Sequence, residues 1–198
     1  MEENRAVAFT DVSLEELLDA IAAETPAPGG GSVAAFVTEM AASLVAKTAR
    51  FAHDWDGAAG AVTQAETLRH RAAPLADEDA VAYENVLTAL RMPSALEPEV
   101  RNTLIGETLS RAADVPLEIA ETAADVAELA AEVAASGNPS LRGDAAAASL
   151  LSAAATRVAA NLVDINLATT EDDRRLGRAR ALVASADRAA KRALGEGE

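Results

Sequence analysis

Gly29-Gly30-Gly31-Ser32-Val33-Ala34-Ala35-Phe36-Val37-Thr38-Glu39-Met40-Ala41-Ala42-Ser43-Leu44-Val45-Ala46 is the stretch on which the fold turns. From Val33 to Ala46 it is apolar nearly all round, with Glu39 and Ser43 among the few polar breaks. A helix without a polar face belongs inside a bundle or between subunits. Ahead of it, Pro26 and Pro28 stiffen the chain, and three consecutive glycines mark a place where the backbone bends or is approached closely. Ser32 reads as the N-cap of a helix that runs to about Trp55. A loop feeding a helix N-terminus aims free N–H groups and the positive dipole end at one spot. That geometry suits a carboxylate, a phosphate or a developing oxyanion. The same residues also suit a tight interhelical turn with a serine cap.

Working outward, every other segment carries the helical period. Leu14, Leu17, Leu18 and Ile21 repeat at helical spacing behind a Ser13/Glu16 capping box, and that helix stops before Pro26. Gly57 and Gly60 punctuate the chain before a helical region over 61–91, which Pro74 kinks or divides and Met92-Pro93-Ser94 ends. Pro98 sits well as the first residue of a fourth helix. Pro116 interrupts that pattern, a stripe of Leu117, Ala120, Ala124 and Ala127 resumes it, and Gly137-Asn138-Pro139 closes it. Ser140 is the expected cap of a fifth helix carrying Leu150, Leu151, Ala154, Val158 and Leu162. The last helix spans about 172–194, and the tail to Glu198 is expected to fray. No segment alternates as a strand. The expectation is an all-α, single-domain bundle of long helices over 1–198, with its core at about 13–194. It is expected to be a homodimer, because Val33–Ala46 has too little polar surface for exposure.

Composition sets the partners. Half of the 198 residues are hydrophobic but only 3% are aromatic, and alanine supplies most of the apolar count. Small side chains let helices approach closely. A formal charge of −15 argues against nucleic acid, which Lys and Arg hold, and against an anionic membrane surface. There is no cysteine for a disulfide or thiolate metal site, and His53 and His70 are the only histidines, so no metal is expected. Met1 to Thr10 lacks the apolar run of a signal peptide, and no 18 consecutive apolar residues occur. A cytoplasmic protein without a membrane partner is the expectation.

Several polar residues stand out against this background. Asp77-Glu78-Asp79-Ala80-Val81-Ala82-Tyr83 concentrates acid on an otherwise apolar helix. Residues two apart on a helix face different ways, so Asp77 and Asp79 do not both point into one pocket, whereas Asp79 and Tyr83, four apart, share a face. A solvated acidic first turn after Pro74 accounts for the same acids. Ser140, Arg142 and Asp144 follow the Gly137-Asn138-Pro139 stop, where capping suffices to explain Ser140 and Asp144. Asn166 lies between Ile165 and Leu167 on a strongly apolar helix, so it either bonds to a neighbouring helix or faces a pocket.

Together these motifs resemble the cyclodeaminase/cyclohydrolase family of folate enzymes, an all-helical domain found alone in bacteria and fused to a formiminotransferase domain in animals. The resemblance covers about residues 13 to 190. It rests on Pro28-Gly29-Gly30-Gly31-Ser32, on Asp77 to Tyr83, on Leu90-Arg91-Met92-Pro93, on Val115-Pro116-Leu117-Glu118-Ile119-Ala120-Glu121, on Gly137-Asn138 with Ser140 and Asp144, and on Ile165-Asn166-Leu167. It implies an elongated homodimer that hydrolyses methenyltetrahydrofolate to 10-formyltetrahydrofolate or cyclises formiminotetrahydrofolate with loss of ammonia. No cofactor is implied beyond the tetrahydrofolate derivative, which is the substrate. Both reactions pass a tetrahedral carbon between N5 and N10, so both need a proton-moving group and polar donors. By this register the catalytic candidates are Asp79 first, then Asp77 and Tyr83. The substrate-binding candidates are Pro28, Gly29, Gly30, Gly31, Ser32, Asn138, Asp144 and Asn166. A side chain at Gly30 is expected to block close backbone approach. The chain departs from the family at three positions: Ala52 and Ser94 stand where the family has lysines, and Leu162 where it has an asparagine, with Asn161 one place off. A non-catalytic folate- or ligand-binding homologue, or a structural helical dimer, is the alternative reading of the same features.

Overall fold

The computed structural model describes residues 8–92, 97–168, 170 and 172–196. Pro93 and Ser94 of the expected turn, and Gly197 and Glu198 of the tail, lie outside them. Eight α-helices follow in order among the described residues: α1 (Leu14–Ala22), α2 (Gly30–Arg50), α3 (Ala58–Ala72), α4 (Leu75–Leu90), α5 (Pro98–Ala112), α6 (Asp114–Ser136), α7 (Arg142–Asn166) and α8 (Arg174–Leu194). No strand occurs among the described residues.

Local chemistry sets most boundaries. The Ser13 hydroxyl and Glu16 carboxylate form the reciprocal capping box at the start of α1. Pro74 divides the third helical region into α3 and α4 rather than kinking it. Pro98 takes the first position of α5, and Pro116 lies inside the first turn of α6, where a missing N–H leaves no helical bond unmade. Asp173 caps α8, and Gly195 ends it in the left-handed conformation at φ 78°, which glycine adopts without a Cβ penalty.

Two caps differ from expectation. Ser32 is the third residue of α2, not its cap: Gly29 is the N-cap, and the Ser32 hydroxyl is spent on distant partners. Ser140 does not cap α7 either. It lies in a short 3-10 turn, where its N–H donates to the Asn138 side chain, and α7 begins at Arg142. α2 also ends at Arg50, short of Trp55.

The core runs along α2, α6, α7 and α8 and is built mainly of alanine: Ala41, Ala42 and Ala49 of α2, Ala120, Ala123 and Ala127 of α6, and Ala148 and Ala159 of α7 are all fully buried. With such short side chains at the contacts, helix axes come close. The buried Ser149 hydroxyl donates to the Ala127 carbonyl at 3.0 Å, pinning α7 to α6. Ala127→Leu is therefore expected to destabilise the fold by about 1–3 kcal/mol through overpacking, read as a lower midpoint in urea with an unchanged slope. The segment Pro139–Asn166 is apolar and long enough to cross a membrane by composition alone, but 56% of its most apolar window is buried within the protein, as in a core helix. The apolar stripe of α1 is different: Leu14, Leu18 and Ile21 are exposed.

Candidate functional site

The glycine loop, α4, the start of α6 and the end of α7 enclose a cavity of about 270 Å³. Gly29, Gly30 and Gly31 form one wall, Asp79 and Tyr83 come from α4, Pro116 from α6, and Leu162, Ile165 and Asn166 from α7. Its wall is anchored by polar contacts. The Asn166 amide donates to the Ala112 carbonyl at 3.1 Å. Arg175 reaches the Ser110 carbonyl and the Asp114 carboxylate, both at 2.6 Å, and so fastens the α5–α6 corner that carries Ala112 and Pro116. Hydrogen bonds from Arg175 hold the Asp173 carboxyl down at about 2.

Asp79 brings a carboxyl group to this cavity. The Ser32 hydroxyl lies 2.9 Å from the Ala76 carbonyl and 3.2 Å from Asp79 Oδ2. Burial pushes the Asp79 carboxyl above its ordinary value, and hydrogen bonds from the Ser32 hydroxyl and backbone N–H oppose the shift without cancelling it. A serine hydroxyl has one proton and here meets two acceptors. The Ser32 oxygen can accept from Asp79 when that carboxyl is protonated, or its one proton can be shared between the carboxylate and the Ala76 carbonyl, so the contact between α2 and α4 fits either form of Asp79.

Gly31 explains the glycine run. A Cβ there would fall 2.0 Å from Asp79 Oδ1 and 2.4 Å from its carboxyl carbon. Only a glycine allows the first turn of α2 to approach this carboxylate. At Gly30 a Cβ meets nothing of the protein within 4 Å, so that position borders open space at the cavity.

The other candidates divide by position. Tyr83 shares the cavity with Asp79, as their four-residue spacing requires. Asp77 lies outside that cavity. Its Oδ1 accepts from the Phe9 N–H at 3.0 Å, and it lines a neighbouring open depression between α4, α5 and α6. Pro28 is buried behind the loop, and Ser32 acts on Asp79 from behind the wall. Asn138 and Asp144 are at the opposite end of α2, about 30 Å away along its 21 residues. There the Asn138 amide donates to the Phe51 carbonyl at 3.0 Å, and Asp144 pairs with Lys47 at 2.8 Å. Ala52 is buried and lines a shallow depression at that same end. Leu162 gives the cavity an apolar wall, while Asn161 faces away, beside Arg157 and Arg180. The sequence reading missed the wall residues Pro26, Ile165 and Pro116. Of these, Pro116 and Ile165 lay within quoted motifs and Pro26 just ahead of the glycine loop, which was the available signal.

The comparisons with known proteins converge. The chain is 30% identical over 169 residues to the methenyltetrahydrofolate cyclohydrolase of Methylorubrum extorquens, covering 81% of each. It is 31% identical over 143 residues to the formimidoyltransferase-cyclodeaminase of Rattus norvegicus, covering 68% of this chain and 26% of that one. The fold superposes on the crystal structure of a formiminotetrahydrofolate cyclodeaminase from Thermotoga maritima with a TM-score of 0.80 and 26% identity, over 94% of this chain and 97% of the other. The formiminotransferase-cyclodeaminase family pattern matches residues 13–185, and the chain belongs to that family.

Proposed function

We propose that this protein acts on a tetrahydrofolate one-carbon adduct, chiefly by hydrolysing methenyltetrahydrofolate to 10-formyltetrahydrofolate. The observation that carries the proposal is the part-buried Asp79 carboxyl, raised above its ordinary value by burial and set against the glycine loop in a cavity. Cyclohydrolase stands ahead of cyclodeaminase because the relative that is 30% identical over 81% of each chain bears the former name, while the cyclodeaminase matched over most of both chains is 26% identical. In this reading the substrate's amidinium cation is drawn to Asp79. Water attacks the methenyl carbon while ionised Asp79 takes one of its protons, giving a neutral tetrahedral carbon. The bond from that carbon to N5 then breaks, Asp79 returns a proton to N5, and the carbinol proton leaves to solvent as the formyl C=O forms. A carboxyl raised above its ordinary value by burial serves both directions of transfer. The adduct itself carries the one-carbon unit, so the step uses no cofactor. A homodimer belongs to the same reading, because α2 and α7 leave apolar side chains uncovered.

The test is the loss of methenyltetrahydrofolate absorbance on adding protein, measured above the buffer rate. A rate equal to buffer overturns the hydrolase. Release of ammonia from formiminotetrahydrofolate would identify the cyclodeaminase instead. A second reading, a folate-binding homologue without turnover, is favoured by one observation: among the described residues no lysine or arginine lines the cavity. Saturable folate binding with no turnover of either adduct selects it.

A further inference from the structure

The glycine-loop cavity holds about 270 Å³. Sites that enclose a ligand as large as a folate run from about 300 to 1,000 Å³, so part of the molecule stays outside. The one-carbon bridge joins N5 to N10, and N10 also carries the p-aminobenzoyl ring, so the tail leaves from beside the reacting atoms. Asp79 and Ala82 are three apart on α4 and share a face there. Ala82 is also a wall of the depression between α4, α5 and α6, and so is Ala112. Only these short side chains are common to the two spaces. The depression beyond them is about 750 Å³, with Val81, Met92 and Val115 in its lining. Among the described residues Arg111 is the one cation on it. The Arg111 side chain is 76% exposed, and it pairs with Glu107, one turn back on α5, at 3.5 Å. Glu107 is exposed too, so water screens the pair, and the guanidinium fork is open to a planar carboxylate in its place. Asn85, exposed on α4, adds an amide donor. Asp77 and Glu78 line the depression as well, and Asp77 already accepts from the Phe9 N–H. The depression thus offers a partner to one ligand carboxylate.

We propose that the p-aminobenzoyl-glutamate half of the substrate leaves the cavity over Ala82 and Ala112 and lies in the α4–α5–α6 depression, where Arg111 holds one carboxylate of the glutamate. The inference rests on the folate reading for the identity of the ligand. It also gives the cation-free cavity a physical reason. The two ends of the substrate carry opposite charge: an amidinium at the bridge and carboxylates at the tail. A guanidinium inside the cavity would pair with Asp79 and draw its carboxyl back down, which works against proton transfer. With Arg111 in the next compartment, Asp79 keeps the environment that raises it, and the tail still finds a charged, forked donor. Ala82 and Ala112 are the residues that let the ring pass from one space to the other, since a larger side chain at either would narrow the passage. Arg111 touches the tail and not the reacting atoms, so its contact is equal in the ground state and the transition state. Such uniform binding sets KM and leaves kcat alone.

The test pairs a variant with a truncated substrate. Arg111→Ala costs the fold only an exposed one-turn ion pair. It is expected to raise KM for methenyltetrahydrofolate about tenfold with little change in kcat, because it removes a charged contact to the tail. Methenyltetrahydropteroate is the same adduct without its glutamate. On it the wild type should already show the raised KM, and Arg111→Ala should raise it no further. Arg180→Ala removes an exposed arginine that lines neither space, and it should leave KM for both substrates unchanged. An unchanged KM for the full folate in Arg111→Ala overturns the subsite. An equal rise on the pteroate adduct, or a matching rise in Arg180→Ala, overturns it too, since the effect is then structural or one of net charge. If the wild type turns over no folate adduct, the functional reading falls by itself. Binding of p-aminobenzoylglutamate, followed by saturation-transfer NMR, then decides the subsite: weaker binding by Arg111→Ala than by wild type and Arg180→Ala supports it, and equal binding overturns it.

Discussion

Asp79→Asn is expected to lower turnover of methenyltetrahydrofolate by about 100-fold or more while leaving the fold intact. Asparagine keeps the shape of the side chain and its hydrogen bond with Ser32, but it neither takes nor returns a proton. The stability of this variant separates a working carboxylate from a structural one. Burial raises the Asp79 carboxyl, so the folded protein holds that proton to higher pH than the unfolded chain does. The group therefore favours the folded state while protonated, and that contribution is lost as pH rises through the raised value. At pH 7 the wild type bears the burden of an ionised, half-buried carboxylate, and Asp79→Asn does not. The variant should melt at or above the wild-type temperature at pH 7, with the difference shrinking on acidification toward the ordinary carboxylate range. A variant that is inactive yet no less stable at pH 7 fits the catalytic role. Wild-type turnover, or a clear loss of stability with turnover per folded molecule unchanged, makes Asp79 a helix-docking residue instead.

How far the sequence carried this reading depended on the range of each interaction. The Ser13/Glu16 box, the break at Pro74 and the start at Pro98 are local, and the chain shows them directly. The divergence of Asp77 from Asp79, and the sharing of a cavity by Asp79 and Tyr83, followed from helical geometry alone. Ser32 was misread because capping preference is a local rule, while its hydroxyl is claimed by Ala76 and Asp79 from another helix. Asn138 and Asp144 belong to the same set of motifs as the glycine loop, but motif spacing carries no distance, and the length of α2 puts them at its other end. The acidic cluster likewise could not show which carboxylate would be desolvated. That depends on the approach of α2, which the glycine run permits without announcing its target.

Gly31→Ala is expected to reproduce most of the effect of Asp79→Asn without touching the carboxylate. The added Cβ would fall within 2.5 Å of all three atoms of the Asp79 carboxyl group, far inside van der Waals contact. The clash is with a short side chain rather than backbone, so the cheapest relief rotates Asp79 out of its place against Ser32. The helix survives, since alanine favours it, but the contact between Asp79 and Ser32 does not. Turnover should fall by about 100-fold. Because both substitutions act through one carboxylate, Gly31→Ala/Asp79→Asn should be little worse than either alone. Gly30→Ala supplies the contrast, since its Cβ enters open space. It should leave Asp79 in place and stabilise the protein by about 0.4–1 kcal/mol through the unfolded chain, while Gly31→Ala destabilises it. If losses at Gly31 and Asp79 multiply instead, or if Gly31→Ala keeps full turnover, the glycine is not there to admit the carboxylate, and the packing of α2 against α4 must serve another end.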